Sequence, residues 1–381
     1  MTGSAGTAAA TSRLPDLTGW FRRPPPRTPL ARLPTPVERA PFLDGPDHQV
    51  FVKRDDRTSE LYGGGKVRKL EYVLAEVPEG PCTSVGAIGS HHLLALGIFL
   101  HEMERNLYSW TFLQEPTSHA VRNLAALVSL QPLVWYVPRR IMLPLAAIDY
   151  RFLRRPPEPG AWIPAGASSP AGAFGFFAAA CELAAQIDAG VLPAPRTVYV
   201  TAGTAGTAAG LVFGLAACRI ATHVRLVSAV ERPLFNRWIF ASVLRRFVRF
   251  LRTLDPDPRV RDLTGPGALR ALARRGVTWS IDHGQVGRGY ARSTEAGLRV
   301  VADSARHGLA LETTYTGKCA AALAQDVRGR GRFRPPPGPI LFWNTHASTD
   351  VRRFIVQDWQ ERLPPALGRW VRRVGGPDLV E

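Results

Sequence analysis

The chain has 381 residues and a mass of 41.6 kDa, with 45% hydrophobic and 21% charged residues. That size suits about two domains with large buried cores, and the composition excludes a disordered or fibrous chain. Lys and Arg number 48 against 31 Asp and Glu, a net charge of +17. Such a charge steers anionic ligands, but no zinc-finger spacing or other nucleic-acid motif accompanies it, so nucleic acid is not an expected partner. Cys82, Cys181, Cys218 and Cys319 stand far apart with no CxxC neighbour, which points away from a disulfide framework and towards the cytoplasm. No apolar signal core opens the chain, and no transmembrane segment is expected. The best apolar stretch, 211–230, is cut by Arg219, His223 and Arg225.

In chain order, residues 1–19 read as a loose tail. Residues 21–41 are rich in Pro and Arg and are expected to run extended along a surface. A short strand at 49–53 precedes a charged loop, three glycines and a helix over 66–76, with Val67, Leu70, Val73 and Leu74 on one stripe. Strands at 83–88, 108–113 and 133–137 alternate with helices at 93–103 and 120–130, the α/β signature. A helix over 139–150, a Pro/Gly-rich loop over 154–170 and a long helix over 172–189 follow. The strand 197–200 runs into Thr201–Thr207 and then into a Gly/Ala/Leu helix. Beyond a strand at 224–230, residues 235–254 form an amphipathic helix. It reads as a surface helix, with an anionic membrane surface or a partner as the alternative. Further helices are expected at 266–275, 295–308 and 317–327, and a last core strand at 340–343. Pro364 and Pro365 break the C-terminal segment.

Three places carry chemistry. Gly203, Thr204, Ala205, Gly206 and Thr207 lie between a strand and a helix. Two glycines, two hydroxyls and free N–H groups at a helix start suit a phosphate, although a flexible turn has the same composition. Lys66 follows Gly63, Gly64 and Gly65, which let its side chain approach a flat ligand closely; lysine forms Schiff bases with aldehydes. Arg68 and Lys69 are rival basic residues, read as bystanders. Ser90, His91 and His92 stand at another strand end, where a hydroxyl and backbone N–H groups hold a carboxylate. Adjacent histidines converge poorly, so no metal is expected.

The run Gly63–Tyr72 closely resembles the Schiff-base lysine segment of the D-cysteine desulfhydrase and 1-aminocyclopropane-1-carboxylate deaminase family, which are fold-type II pyridoxal-phosphate enzymes. The resemblance spans about residues 27–348. It includes Leu33-Pro34-Thr35-Pro36, residues 51–56, residues 169–175, the 203–207 loop, Gly289-Tyr290, Tyr315-Thr316-Gly317-Lys318 and Thr345. It implies an α/β fold of two domains with open twisted sheets flanked by helices. The large cofactor-binding domain would be 20–69 with 179–381, and the small one 70–178. It implies pyridoxal 5'-phosphate as cofactor, a small amino acid as substrate and a homodimer. By the same resemblance Lys66 holds the cofactor covalently and Ser90 sits near the substrate carboxylate and aids proton steps. His91 and His92 stand where residues grip that carboxylate, and 203–207 is the phosphate cup. Tyr290 lies near the substrate amine or leaving group, Tyr315 stacks on the ring, and Thr345 faces the pyridine nitrogen.

The expected reaction is β-elimination, giving pyruvate, ammonia and sulfide from D-cysteine, with Lys66 removing the α-proton. Thr316 stands where the deaminase branch has a glutamate, which makes opening of a cyclopropane ring the lesser alternative, beside β-replacement. Gly89, His91, His92, Asn344 and His346 depart from the family pattern. These departures leave open a changed substrate, an acidic one first, or a catalytically drifted binding protein.

Overall fold

The computed structural model describes residues 17–114, 117–130, 133–137 and 160–373. Two sheets carry it. The larger has the strand order β1-β2-β10-β7-β8-β9, built from β1 (Val37–Arg39), β2 (Val50–Arg54), β7 (Thr197–Ala202), β8 (Thr222–Ser228), β9 (Val277–Asp282) and β10 (Ile340–Asn344). Only β1 pairs antiparallel; the rest run parallel, with Trp343 of β10 opposite both Lys53 and Val200. The smaller sheet has the order β5-β4-β3-β6, all parallel, from β3 (Cys82–Ala87), β4 (Leu107–Phe112), β5 (Leu133–Val137) and β6 (Ala161–Ile163). Most of these strands are buried along their length, as parallel sheets covered by helices must be.

The helices are α1 (Gly65–Glu76), α2 (His91–Glu102), α3 (Ser118–Ser129), α4 (Pro170–Asp188), α5 (Gly206–Ala217), α6 (Arg237–Thr253), α7 (Pro258–Arg261), α8 (Ala268–Arg274), α9 (Glu295–Arg306), α10 (Thr316–Val327) and α11 (Pro365–Arg373). α5 is apolar on all sides and almost wholly buried, and α4 packs between it and α1. Glycines set that spacing. A Cβ at Gly210 would lie 1.9 Å from the Ala173 carbonyl oxygen, and one at Gly175 1.9 Å from that of Arg68. α4 is long and apolar enough to cross a membrane, yet 72% of that stretch is buried inside the protein.

A buried ionic network ties these layers under α1. Arg68 donates to Asp55 and Glu182, Lys53 donates to Glu182 and Gln186, and Trp343 Nε1 donates to Asp55 at 2.6 Å. Thr35, from the Leu-Pro-Thr-Pro segment, joins through its N–H and hydroxyl to Glu182.

Several sequence expectations need correction. The loop expected over 154–170 contains β6, a three-residue strand against Cys82–Ser84. β1 and β9 were not anticipated. The segment after residue 20 is not merely superficial, since Phe21 is buried against Phe174 and Phe177. Pro365 opens a helix instead of breaking one, as proline does in a first turn. The helix expected over 139–150 and most of the expected tail lie outside the described residues.

Candidate active site

The C-terminal ends of β3, β7 and β10 face one another, the usual place for a ligand in open α/β sheets. Between them lies a cavity of about 410 Å³. It gathers Lys66, Ser90, His91, His92, Gly203, Thr204, Ala205, Thr207, Tyr290, Tyr315 and Thr345 into one wall. Of the residues given a site role from sequence, Gly206 is not in that wall; it opens α5 directly behind it, and Gly89 and Asn344, noted as departures, are outside the wall as well.

Lys66 stands in the first turn of α1. The turn before it needs glycine: Gly64 has φ 100°, and a Cβ at Gly63 would lie 2.1 Å from the Asp56 carbonyl oxygen. The Gly65 N–H donates to the Thr345 carbonyl at 3.1 Å, which fixes the end of β10 beside the lysine. The chain has four lysines. Lys53 donates to the Thr35 carbonyl and Glu182, Lys69 to the Gly166 carbonyl and Ser168, and Lys318 to the Val286 and Gly289 carbonyls. Lys66 is the one lysine with no such acceptor among the described residues, and it opens to the cavity. Burial pushes its pKa down to about 8, against the upward pull of the Glu312 carboxylate.

The 203–207 loop meets the requirements of an anion cradle. Ala205, at the N-cap of α5, is left-handed at φ 64° and provides no side-chain acceptor. By contrast α2, α3 and α4 are capped by Ser90, Thr117 and Ser169. The first N–H groups of α5 are thus left for a ligand, with the favourable end of the helix dipole. Thr204 and Ser168 place hydroxyls 2.5 Å apart at the loop. Lys69, read from sequence as a bystander, lies behind it: a Cβ at Gly206 would come within 3.1 Å of its Nζ. The Tyr315 ring is the nearest group to a Cβ placed on Gly203, at 3.8 Å.

Tyr290 and Tyr315 share a hydrogen bond of 2.6 Å between their hydroxyls, with rings edge-to-face at 6.1 Å. Ser90 accepts from the Leu93 N–H, so its hydroxyl caps α2 as well as lining the cavity. His91 and His92 diverge. His92 Nε2 pairs with Ser84 Oγ at 2.9 Å, and His91 pairs with Tyr62 and His119. Asn344 points away from the cavity, donating to the Ala310 carbonyl and accepting from the His346 N–H. No group of three or more His, Cys, Asp or Glu is placed to hold a metal among the described residues.

Sequence reasoning missed Glu312 and Tyr62, both in the cavity wall. Glu312 accepts from the N–H groups of Thr314, Tyr315 and Thr316 at the start of α10. An acidic residue just ahead of a helix start is a readable signal for such capping.

An amine in the cavity wall without a protein acceptor among the described residues, a hydroxyl-rich helix N-terminus backed by the Lys69 amine, and an aromatic ring beside them fit pyridoxal phosphate, an aldehyde that bears a phosphate. The fold and cavity therefore define an enzyme of the pyridoxal-phosphate-dependent class, with two α/β sheets around one cofactor pocket. A family model for pyridoxal-phosphate dependent enzymes matches residues 29–345. D-cysteine desulfhydrase of Klebsiella pneumoniae (strain 342) is 30% identical over 340 residues, covering 84% of this chain and 93% of that protein. A crystal structure of an ACC deaminase homologue superposes with a TM-score of 0.66 at 21% identity, over 84% of this chain and 91% of its own. A pyridoxal 5'-phosphate-dependent aspartate racemase gives 0.51 at 14% identity, over 84% and 92%. The chain belongs to the fold-type II family of pyridoxal-phosphate-dependent enzymes, which act on small amino acids.

Proposed function

We propose that the chain is a lyase that eliminates the β-substituent of a small amino acid, with D-cysteine giving pyruvate, ammonia and sulfide. The observation that carries this reading is Lys66. Among the described residues it is the one lysine whose amine has no protein acceptor, and it stands in a cavity that also holds an uncapped helix N-terminus. The kinship with a D-cysteine desulfhydrase supports the choice of substrate.

In this reading the bound cofactor supplies an electron sink for the carbon next to the substrate amine. Lys66 holds the cofactor and then, as a free amine, removes the α-proton. The N–H groups of α5, Thr204 and Thr207 hold the phosphate, with Lys69 behind them. Tyr315 packs against the ring and Thr345 offers a hydroxyl where the ring nitrogen would lie. Ser90 and the start of α2 hold the substrate carboxylate, and Tyr290 stands by the leaving group. A hydroxyl partner supports ring protonation less than a carboxylate does, which suits elimination. Glu312 does not alter this, because its oxygens are taken up by three backbone N–H groups and the Thr316 hydroxyl. A homodimer in the cytoplasm belongs to the same reading through family likeness.

The test is an assay of pyruvate and sulfide with D-cysteine and L-cysteine, beside 2-oxobutyrate from 1-aminocyclopropane-1-carboxylate. Pyruvate and sulfide in equal amounts from D-cysteine are expected. Turnover of the cyclopropane substrate alone would replace the reading with the deaminase one. Tight, salt-sensitive nucleic-acid binding without turnover would favour a drifted binding protein.

A further inference from the structure

His91 connects two cavities. Beside the catalytic cavity lies a second one of about 240 Å³, lined among others by His119, Arg122, Asn123 and Asp350. Tyr62, His91 and His346 belong to the walls of both, whereas His119 belongs to the second alone. The Tyr62 hydroxyl lies 2.7 Å from His91 Nδ1, and His91 Nε2 lies 2.8 Å from His119 Nε2. A continuous line of hydrogen bonds therefore runs from one cavity to the other.

The direction of that line follows from Asn123. Its Nδ2 donates to the Gly89 carbonyl at 3.0 Å, which fixes the orientation of the amide. The same Nδ2 lies 3.3 Å from His119 Nε2, so a proton on that nitrogen would face a second donor, and its single lone pair is left to the shorter contact with His91 at 2.8 Å. His119 accordingly carries its proton on Nδ1. His91 Nε2–H donates to it, and the Tyr62 O–H donates to His91 Nδ1. Every donor points from the catalytic cavity towards the second one. Burial lowers the pKa of His91 and of His119, which favours the neutral rings such a chain requires. Lys66 and Glu312 face the chain from the catalytic side. His346 approaches His91 edge-on at 5.5 Å, and Arg122 stands beside His119.

We infer that Tyr62, His91 and His119 form a proton path that carries the substrate's α-proton out of the catalytic cavity into the neighbouring one. The inference rests on the proposed abstraction of that proton by Lys66. Tyr62 oxygen takes up one proton from the cavity as its own passes to His91 Nδ1. The His91 Nε2 proton passes to His119 Nε2, and the His119 Nδ1 proton is released on the far side. One proton enters, one leaves, and each ring ends neutral as its other tautomer. The reversed chain is then set to bring one proton back, which the methyl carbon of pyruvate takes up, and the starting tautomers return. Tyr62 and His91 touch the catalytic cavity; His119 acts through them as a positioning and relay residue.

The experiment follows the α-deuterium of D- and L-[2-²H]alanine, which has no leaving group, on the holoenzyme in ordinary water. His119→Ala is expected to retain the cofactor's visible band and to slow loss of deuterium about tenfold or more, because an isolated cavity returns the abstracted deuteron to its carbon. Added imidazole, small enough for the second cavity, is expected to restore the loss. Washout at the unaltered rate, or a slowed washout that imidazole does not restore, would overturn the path. A second measurement does not depend on turnover: ¹⁵N NMR of the unaltered holoenzyme should show His119 protonated on Nδ1 and His91 on Nε2. The opposite tautomers would overturn the path whatever the washout shows. No washout from either alanine in the unaltered protein would count against Lys66 as the base, and the tautomers alone would then decide the path.

Discussion

The amine of Lys66 is under two opposed influences, and burial prevails over the attraction of Glu312 to leave its pKa at about 8. Below that pH the cofactor-free protein holds Lys66 as the ammonium; above it the amine is free to condense with an aldehyde. Capture of pyridoxal phosphate by cofactor-free protein should rise with pH, with its half-point near 8, as followed by visible absorbance. Glu312→Gln removes the upward pull, so the half-point should move to lower pH. A half-point that stays put or rises would remove Glu312 from the site's electrostatics. The histidines show what a sequence leaves out at this scale. Side by side in the chain, His91 and His92 read as a pair that grips a carboxylate, yet each points to a different partner. Their bonds come from Tyr62, His119 and Ser84, and no local pattern announces those contacts.

At the scale of elements, the strand-to-helix turns were legible because their chemistry is local. Glycines before Lys66, Ser90 at a helix start and the 203–207 loop all mark places where backbone must turn tightly or leave N–H groups free. β6 and β9 were not legible. β6 is three residues long inside a Pro/Gly-rich segment, with Trp162 half-exposed, and only pairing with Cys82–Ser84 makes it a strand. β9 is an edge strand, mostly half-buried after its first residue, so it lacks the solid apolar run of β7. Two substitutions test how these elements hold the site. Gly210→Ala would drive a methyl into the Ala173 carbonyl and push α5 off α4. Overpacking of this kind costs about 1–3 kcal/mol, which urea unfolding would register, and cofactor affinity should fall with it because α5 begins at the phosphate loop. Glu182→Gln leaves Arg68 and Lys53 without their shared carboxylate, and breaking such a buried pair costs about 3–5 kcal/mol. Burial alone would raise the Glu182 pKa, but Arg68 and Lys53 bring it down to about 2. A carboxylate so depressed contributes its stability above its unfolded value of about 4.5 and loses it as the pH falls towards 2. The unaltered protein should therefore lose stability over that range more steeply than Glu182→Gln. Equal slopes would mean the network does not hold Glu182 charged.

For the whole molecule, the two-sheet α/β plan was legible from alternating strands and helices, and the meeting of β3, β7 and β10 around one cavity followed from it. The depth of the N-terminal segment was not legible, because Phe21 and Thr35 are buried through contacts distant in sequence, Phe21 against α4 and Thr35 against α4 together with Lys53, Asp55 and Arg68. The +17 charge has a consequence at this scale as well. Cofactor and amino acid both carry anionic groups, so the field should hasten their arrival. Raising salt from about 20 mM to about 500 mM should slow cofactor capture several-fold, since screening shortens the reach of the field. A rate indifferent to salt would confine the charge to solubility.

The central claim is that the cofactor is held on Lys66 inside this cavity, and with four lysines in the chain one measurement addresses it directly. The holoenzyme is reduced with borohydride, which fixes a lysine–aldehyde linkage, then digested and mapped by mass spectrometry. The account predicts the pyridoxyl group on Lys66, with the visible band lost in Lys66→Ala. A pyridoxyl group on Lys53, Lys69 or Lys318, or an undiminished band in Lys66→Ala, would contradict it.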